Sequence, residues 1–204
     1  MHQHLEVELK WQLTAKGHAS LARRLAETLG PAQVLEQDNR FFDSVDLRLR
    51  QAWCNVRLRA ENGRTLLTCK RRAAGIAQAH VHDEWEVWLD DGQRRLLELP
   101  GADLASLLPL PDPVRLALAG ARLVPLGGFS NRRLEQHDGA DLLCLDCTRF
   151  PGGRVDYELE IETATPADTA ARWSSRLAQW GVAHQPQPLT KFARYLGKSR
   201  SLET

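Results

Sequence analysis

Apolar and charged residues alternate strictly near the start of the chain. Apolar residues occupy every second position from 5 to 11, and Glu6, Glu8 and Lys10 lie between them. Successive side chains of an extended strand point to opposite faces, so two carboxylates and an ammonium would share one face. The pattern predicts a β-strand with one apolar face and one charged face.

Four later segments repeat this alternation, and each carries charges of a single sign. The acidic sets are Glu84 with Glu86 and Glu158 with Glu160 and Glu162, and the basic sets are Arg57 with Arg59 and Lys70 with Thr68 and Arg72. An antiparallel sheet with one face in water gives the same alternation. Solubility alone, however, would mix the two signs within each strand, so the sorting favours a functional surface.

Turn residues divide the predicted strands. Asn62-Gly63 predicts a hairpin that joins segments 55–60 and 65–71. Asp138-Gly139 and Pro151-Gly152-Gly153 predict a meander of the segments 133–137, 142–149 and 155–163. A further strand is expected over 81–89, with Asp90-Asp91-Gly92 as the turn that ends it.

Helical spacing appears on either side of these strands. Apolar residues at helical intervals predict amphipathic helices over 18–29 and 167–180, and the segment 100–125 suggests short helices with irregular links. No second domain or repeat is visible, so we expect one domain over residues 1–204. The predicted class is α+β.

The helices constrain how the strands are arranged. Amphipathic helices need an apolar strand face on which to bury their own apolar side. If the sheet closes into a barrel, the charged faces must then point inward and line a tunnel. A basic wall would bind phosphates, and an acidic wall would bind divalent cations that bridge to them.

Composition limits the partners. Lys and Arg total 27 against 26 Asp and Glu, and this net charge of +1 gives no bulk attraction to nucleic acid or to a membrane. The N-terminus shows no leader and no apolar run approaches the roughly 20 residues of a spanning helix, so we expect a cytoplasmic protein.

Cys144-x-x-Cys147 lies in a predicted strand, which favours buried free thiols. The spacing around His80 and His82 suggests no third zinc ligand.

Five segments in order resemble the motifs of the CYTH superfamily, the triphosphate tunnel metalloenzymes. They are the E-x-E-x-K of Glu6-x-Glu8-x-Lys10, the R-x-R of Arg57-x-Arg59, the strand lysine Lys70, the late E-x-E of Glu158-x-Glu160, and the closing element from Thr190-Lys191 to Tyr195. The chain is most similar to bacterial inorganic triphosphatases with a long CYTH domain, without the CHAD domain often attached to them.

The resemblance implies an eight-stranded antiparallel β-barrel, a tunnel with flanking helices, that hydrolyses a triphosphate with Mg²⁺ or Mn²⁺. Lys10, Glu8 and Glu160 would be catalytic. The implied metal ligands are Glu6, Glu8, Glu158, Glu160, Asp146, Glu84, Glu86 and Glu162. The implied phosphate-binding residues are Lys10, Arg57, Arg59, Lys70, Arg132, Arg133 and Lys191. Which of Arg132 and Arg133, and which of Glu84 and Glu86, faces the tunnel stays open; Arg194 is expected at a solvated helix end.

Several substrates share the same three phosphates. Inorganic triphosphate leads, because no segment suggests a binding site for an organic group; thiamine triphosphate and nucleoside triphosphates are the alternatives, with Trp53, Trp85 or Trp173 as candidate stacking residues. A class IV adenylate cyclase is disfavoured, since His4-Leu5 stands where those enzymes resemble one another in a His-Phe pair. A non-catalytic polyphosphate binder is a further alternative. The expected partner is the small triphosphate, and a homodimer is one option for the oligomeric state.

Overall fold

The computed structural model describes residues 1–73 and 79–199. Its strands are β1 (His2–Leu13), β2 (Gln33–Asp43), β3 (Cys54–Glu61), β4 (Arg64–Arg72), β5 (His80–Leu89), β6 (Val124–Asp138), β7 (Asp141–Arg149), β8 (Val155–Glu162) and β9 (His184–Pro186). Its helices are α1 (Ala15–Leu29), α2 (Arg48–Gln51), α3 (Asp91–Leu97), α4 (Leu104–Leu107), α5 (Asp112–Leu118), α6 (Pro166–Gln179) and α7 (Lys191–Ser199).

The strands pair in a single sheet with the order β5-β4-β3-β2-β6-β7-β8-β1-β9. β5 also pairs with β1, so the first eight strands close on themselves and the short β9 extends from β1. The predicted α+β class and the eight-stranded antiparallel barrel are thereby confirmed.

The predicted hairpins form at the expected turns. Asn62 and Gly63 both adopt positive φ, 46° and 82°, as a type I′ turn between β3 and β4 requires, and Glu61 pairs with Arg64 across it. β6, β7 and β8 form the predicted antiparallel meander. The local turn signals were therefore sufficient to define these connections.

The helices differ from the prediction mainly at their ends. α1 begins at Ala15, three positions before the predicted start, because Thr14 caps it by accepting from Gly17 N at 3.0 Å. β5 ends at Leu89, before Asp90-Asp91-Gly92 as predicted, but the sequence did not indicate that α3 begins there, with Asp90 and Gln93 forming a capping box. The spacing of these two residues was the missed signal.

Two compact units can be distinguished, one with residues 1–6, 37–73 and 81–127 and the other with residues 7–36, 79–80 and 128–199. In the first unit, β3, β4 and β5 pack their apolar face with α5, through Val56, Leu67, Trp85 and Val114. In the second unit, β1, β7 and β8 pack theirs with α1 and α6, through Leu9, Leu145, Leu159, Leu21 and Trp173. The prediction of one domain stays a prediction.

The charged residues alternate with these core residues along the same strands. Glu8 and Lys10 flank Leu9, and Glu158 and Glu160 flank Leu159. They therefore occupy the face that the helices leave uncovered, which in a closed barrel is the inner one. Among the described helices, none combines the length and apolar character that crossing a membrane requires.

We expect Leu177→Ala to lower the free energy of unfolding by about 3 kcal/mol, because it opens a cavity beneath α6 where Leu177 is fully buried. Leu116→Ala is the matched control, since the Leu116 side chain on α5 is 78% exposed. Urea unfolding would measure both variants. Equal losses in the two would contradict this description of the core.

Candidate functional site

Three buried carboxylates come together in the second unit. β8 presents Glu158 and Glu160, and β7 places Asp146 opposite Glu158 in the strand register. One carboxylate oxygen from each lies within 4.8 Å of the others, and all three residues are at most 4% exposed. We call Asp146, Glu158 and Glu160 the acidic triad.

Lys191 on α7 contacts every member of the acidic triad. Its Nζ lies 2.8 Å from Asp146 Oδ2 and 2.8 Å from Glu160 Oε1, and it also contacts Glu158 Oε1. Thr190 starts this helix by accepting from Ala193 N at 3.1 Å. The cap thus fixes where the helix begins and places Lys191 in its first turn.

Two further cations approach the triad from neighbouring strands. Arg133 on β6 donates through Nε and Nη2 to the two oxygens of Asp146 at 2.9 and 2.8 Å, and Nη2 also donates to Glu160 Oε2 at 2.7 Å. Lys10 Nζ contacts Glu160 Oε1 and lies 2.8 Å from Glu8 Oε1. Asp146 and Glu160 therefore each have more than one cationic partner.

The charges in this network hold one another ionised. Burial alone would raise the pKa of Glu160, but Lys10, Lys191 and Arg133 hold it well below its usual range. Burial would lower the pKa of Lys10, yet Glu160, Glu8 and Glu158 raise it well above its usual value. The pKa of Asp146 is likewise lowered by Arg133 and Lys191 against the effect of burial. These shifts favour the charged forms of Glu160, Asp146 and Lys10.

Asp146 is also held by neutral groups that the sequence did not reveal. Asn131 Nδ2 donates to Asp146 Oδ1 at 2.9 Å, and Thr148 Oγ1 donates to Asn131 Oδ1 at 2.9 Å. All three residues are buried. Only the register of β6 with β7 brings them together, so no local motif could have indicated them.

Arg194 is the main residue that sequence reasoning missed. The expectation of a solvated helix end is wrong, because Arg194 is only 8% exposed. Its Nη2 donates to Glu158 Oε2 at 2.8 Å and its Nε lies 3.1 Å from Asp156 Oδ2. Arg194 follows Lys191 by three positions, so both lie on one face of α7.

The two adjacent arginines of β6 have different surroundings. The Arg133 side chain is 13% exposed within the cluster, whereas the Arg132 side chain is 57% exposed and pairs with Glu36 at 3.0 Å. The structure does not bring Arg132 to the charged face.

Glu162, at the end of β8 and opposite Glu8 in the register, is half-buried and lies outside the acidic triad.

The first unit has its own charged cluster. Lys70 Nζ lies 2.6 and 2.5 Å from the two oxygens of Glu6 and 3.2 Å from Glu84 Oε2. His82 Nδ1 is 3.4 Å from Glu6 Oε2, and His4 Nε2 is 3.6 Å from Glu84 Oε2. Both carboxylates are buried.

Arg57 and Arg59 lie on the same face of β3. Arg57 Nη2 donates to Thr68 Oγ1 at 3.1 Å, and Thr68 donates in turn to Glu86 Oε1 at 3.2 Å. Arg59 Nη1 is 3.3 Å from Glu61 Oε2. Burial, with the Arg59 charge beside it, lowers the pKa of Arg57 to about 10. Glu84 pairs with Lys70, and Glu86 accepts from Thr68. Both carboxylates therefore lie on the charged face.

Both thiols of the C-x-x-C pair are free as predicted, but only Cys144 is buried, whereas Cys147 is half-buried. Burial raises the pKa of the Cys144 thiol well above its usual value. His80 Nε2 is 3.1 Å from Gln187 O, whereas His82 lies beside Glu6.

Residues 4–180 match the family model of the CYTH domain. The chain belongs to the CYTH domain family. This CYTH protein is 26% identical over 206 residues to YjbK of Bacillus subtilis (strain 168), which is provisionally named a triphosphatase; the match covers 98% of each chain. The motifs from Glu6 to Glu160 all fall inside the matched segment.

Two solved structures are similar to this CYTH protein. HpAC1 of Hippeastrum, described as an adenylyl cyclase candidate with a dominant triphosphatase activity, is 25% identical with a TM-score of 0.82, over 95% of this chain and 96% of that one. A Bacillus halodurans protein described as an adenylate cyclase candidate is 21% identical with a TM-score of 0.73, over 96% and 99%. The second likeness supports the fold alone.

We expect Lys191→Met to raise the affinity for Mn²⁺ about tenfold, because it removes a cation that contacts the same three carboxylates a metal ion would use. Lys16→Met is the control, since Lys16 is exposed on α1. Isothermal titration calorimetry without substrate would measure the affinity. An unchanged or weaker affinity would show that Lys191 and the metal ion do not compete.

We expect Glu84→Gln to flatten the pH dependence of stability in the metal-free protein. Burial, opposed by Lys70 and reinforced by Glu6, raises the pKa of Glu84 to about 8. A carboxyl group whose pKa is raised in the folded state stabilises the fold fully below pH 4.5, and this stabilisation is lost as the pH rises through 8. From pH 6 to pH 9 in EDTA, the parent should lose at least about 3 °C more in Tm than the variant. Glu98→Gln, at an exposed carboxylate, should match the parent.

Proposed function

We propose that this CYTH protein hydrolyses inorganic triphosphate to pyrophosphate and phosphate with Mg²⁺ or Mn²⁺. The observation that carries the proposal is the buried cluster of ion pairs between the acidic triad and Lys10, Arg133 and Lys191. Carboxylates and cations on one strand face suit a ligand that brings both metal ions and phosphates.

The activity class is that of a triphosphatase. HpAC1, which matches nearly the whole chain, is described as having a dominant triphosphatase activity, and YjbK is provisionally named a triphosphatase. Neither description names inorganic triphosphate. We choose that substrate because no segment of the sequence suggests a binding site for an organic group.

The acidic triad fits a hard divalent cation. Its three carboxylates offer oxygen ligands within 4.8 Å of one another, which are the donors that Mg²⁺ and Mn²⁺ prefer. When bound, the metal would neutralise charge on the phosphates and lower the pKa of a water molecule. We also propose ligand roles for the remaining carboxylates of the charged faces, Glu6, Glu8, Glu84, Glu86 and Glu162.

Basic residues would hold the phosphate oxygens. Arg133 presents a planar fork of donors, and Lys10 and Lys191 present ammonium groups. We propose the same role for Arg57, Arg59 and Lys70 of the first unit. Arg132 is left out, because its side chain is exposed and paired with Glu36.

The reaction needs no side-chain nucleophile. Water attacks the terminal phosphorus, the bond to the bridging oxygen breaks, and pyrophosphate leaves. The transition state is loose and its charge lies on oxygens, so fixed cations stabilise it. Lys10 would hold an oxygen of the reacting phosphate, while Glu8 and Glu160 fix the position of its ammonium and orient the attacking water.

The organic triphosphates remain second candidates. A thiamine ring would need an accessible aromatic side chain: Trp53 is 66% exposed, whereas Trp85 and Trp173 are buried in the cores. A cyclase would convert ATP to cyclic AMP and pyrophosphate, and a binder would release nothing. The cytoplasmic location and the option of a homodimer stay predictions.

The test is phosphate release from inorganic triphosphate, thiamine triphosphate and ATP, each with Mg²⁺, Mn²⁺ or EDTA. We expect fastest release from inorganic triphosphate, only with metal, and a loss of at least about 100-fold in kcat for Glu160→Gln. Glu36→Gln, at an exposed carboxylate, is the control and should keep full activity. Equal activity in Glu160→Gln and the parent would sink the assignment, and cyclic AMP from ATP would replace it with a cyclase.

A further inference from the structure

Arg194 and Lys191 contact different oxygens of the Glu158 carboxylate. Glu158 Oε1 contacts Lys191, and Glu158 Oε2 accepts from Arg194 Nη2 at 2.8 Å. The two cations of α7 thus hold the two oxygens of one carboxylate. Glu158 is 1% exposed, so protein groups rather than water set the orientation of its carboxylate.

The guanidinium of Arg194 is engaged on its other edges as well. Nε lies 3.1 Å from Asp156 Oδ2, and Nη1 donates to Leu189 O at 3.1 Å. Asp156 and Glu158 lie two positions apart on the same face of β8. One planar group therefore joins two carboxylates of β8 to the segment that leads into α7.

We propose that Arg194 is a positioning residue of the triphosphatase site: it orients Glu158 as a metal ligand. This inference rests on the proposed function. Arg194 touches neither metal nor substrate; it acts through Glu158. Groups that orient metal ligands in this way typically affect metal affinity or activity by about 10- to 100-fold.

The charge and the geometry of Arg194 can be separated. Arg194→Lys keeps the positive charge but replaces the planar fork with one ammonium on a flexible stem, which cannot contact Glu158, Asp156 and Leu189 O together. Charge alone predicts unchanged metal affinity. Orientation of Glu158 predicts a loss, which we expect to be about tenfold in Mn²⁺ affinity measured by calorimetry without substrate.

Arg154 offers a matched control. It also contacts α7, donating from Nη2 to Arg194 O at 3.3 Å, and it lies 3.6 Å from Asp156 Oδ1. Among the residues that the structure describes, Arg154 contacts no carboxylate of the acidic triad. Arg154→Lys therefore weakens a contact with α7 but leaves the contact between Arg194 and Glu158 in place. Its Mn²⁺ affinity should stay within about twofold of the parent.

The experiment compares Mn²⁺ affinity, Tm, kcat and KM for the parent, Arg194→Lys and Arg154→Lys. Weaker Mn²⁺ binding in Arg194→Lys alone, with kcat reduced at saturating metal and KM little changed, supports the proposal. An affinity within twofold of the parent, or equal losses in both variants, overturns it. If Arg194→Lys does not fold, Asp156→Asn replaces it in the test, because it removes the ion pair that helps to hold Arg194 in place. A several-fold loss of Mn²⁺ affinity then supports the proposal, and no loss overturns it.

The two proposals fail in different ways. If the parent binds Mn²⁺ but releases no phosphate from any triphosphate, the proposed function fails, while the effect of Arg194→Lys on Mn²⁺ affinity still decides the role of Arg194. If the parent hydrolyses triphosphate and the variant binds Mn²⁺ as the parent does, only the inference about Arg194 fails.

Discussion

A carboxylate buried away from water is stable only beside a cation, and the charged face of the second unit depends on this constraint. Glu8 and the acidic triad supply the negative charges, and Lys10, Arg133, Lys191 and Arg194 supply the positive ones. Leaving one buried charge without its partner typically costs about 3–5 kcal/mol. The acidic residues therefore fix where the basic ones must lie, and the apolar residues that alternate with both are left to form the core with α1 and α6.

The same constraint makes α7 part of the site. The acidic triad comes from β7 and β8, and Arg133 and Lys10 cannot by themselves occupy all of its oxygens. Lys191 and Arg194, three positions apart on one helix face, contact the rest. A divalent cation would compete with Lys191 for these oxygens, and a bound phosphate would be a new partner for the displaced ammonium. The proposed roles in metal and phosphate binding are thus electrostatically compatible.

Alternation in the sequence predicted which strands carry charge on one face, because a strand has a period of two whatever it packs against. The alternation could not show which of Arg132 and Arg133 lies on the charged face. Leu134, which packs on the second core, is an even number of positions from Arg132, whereas the buried Phe129 is an even number of positions from Arg133. The two apolar residues therefore indicate opposite faces. Arg194 was missed for another reason. Its partner Glu158 lies 36 positions earlier, so only the packing of α7 shows that the helix end is buried. Local signals define elements, whereas contacts distant in sequence define this site.

The two cations of α7 also differ in kind, and the difference matches their surroundings. Arg194 donates to Leu189 O and Glu158 and forms an ion pair with Asp156 around one planar group, so a change of partner would break several contacts at once. Lys191 carries one ammonium on a flexible stem, which in the proposed reaction would turn from carboxylate to phosphate. Exchanging the two residue types would place the flexible group where Glu158 needs a fixed partner. Under the proposed roles, the lysine of α7 is the cation that exchanges partners and the arginine is the one that keeps them.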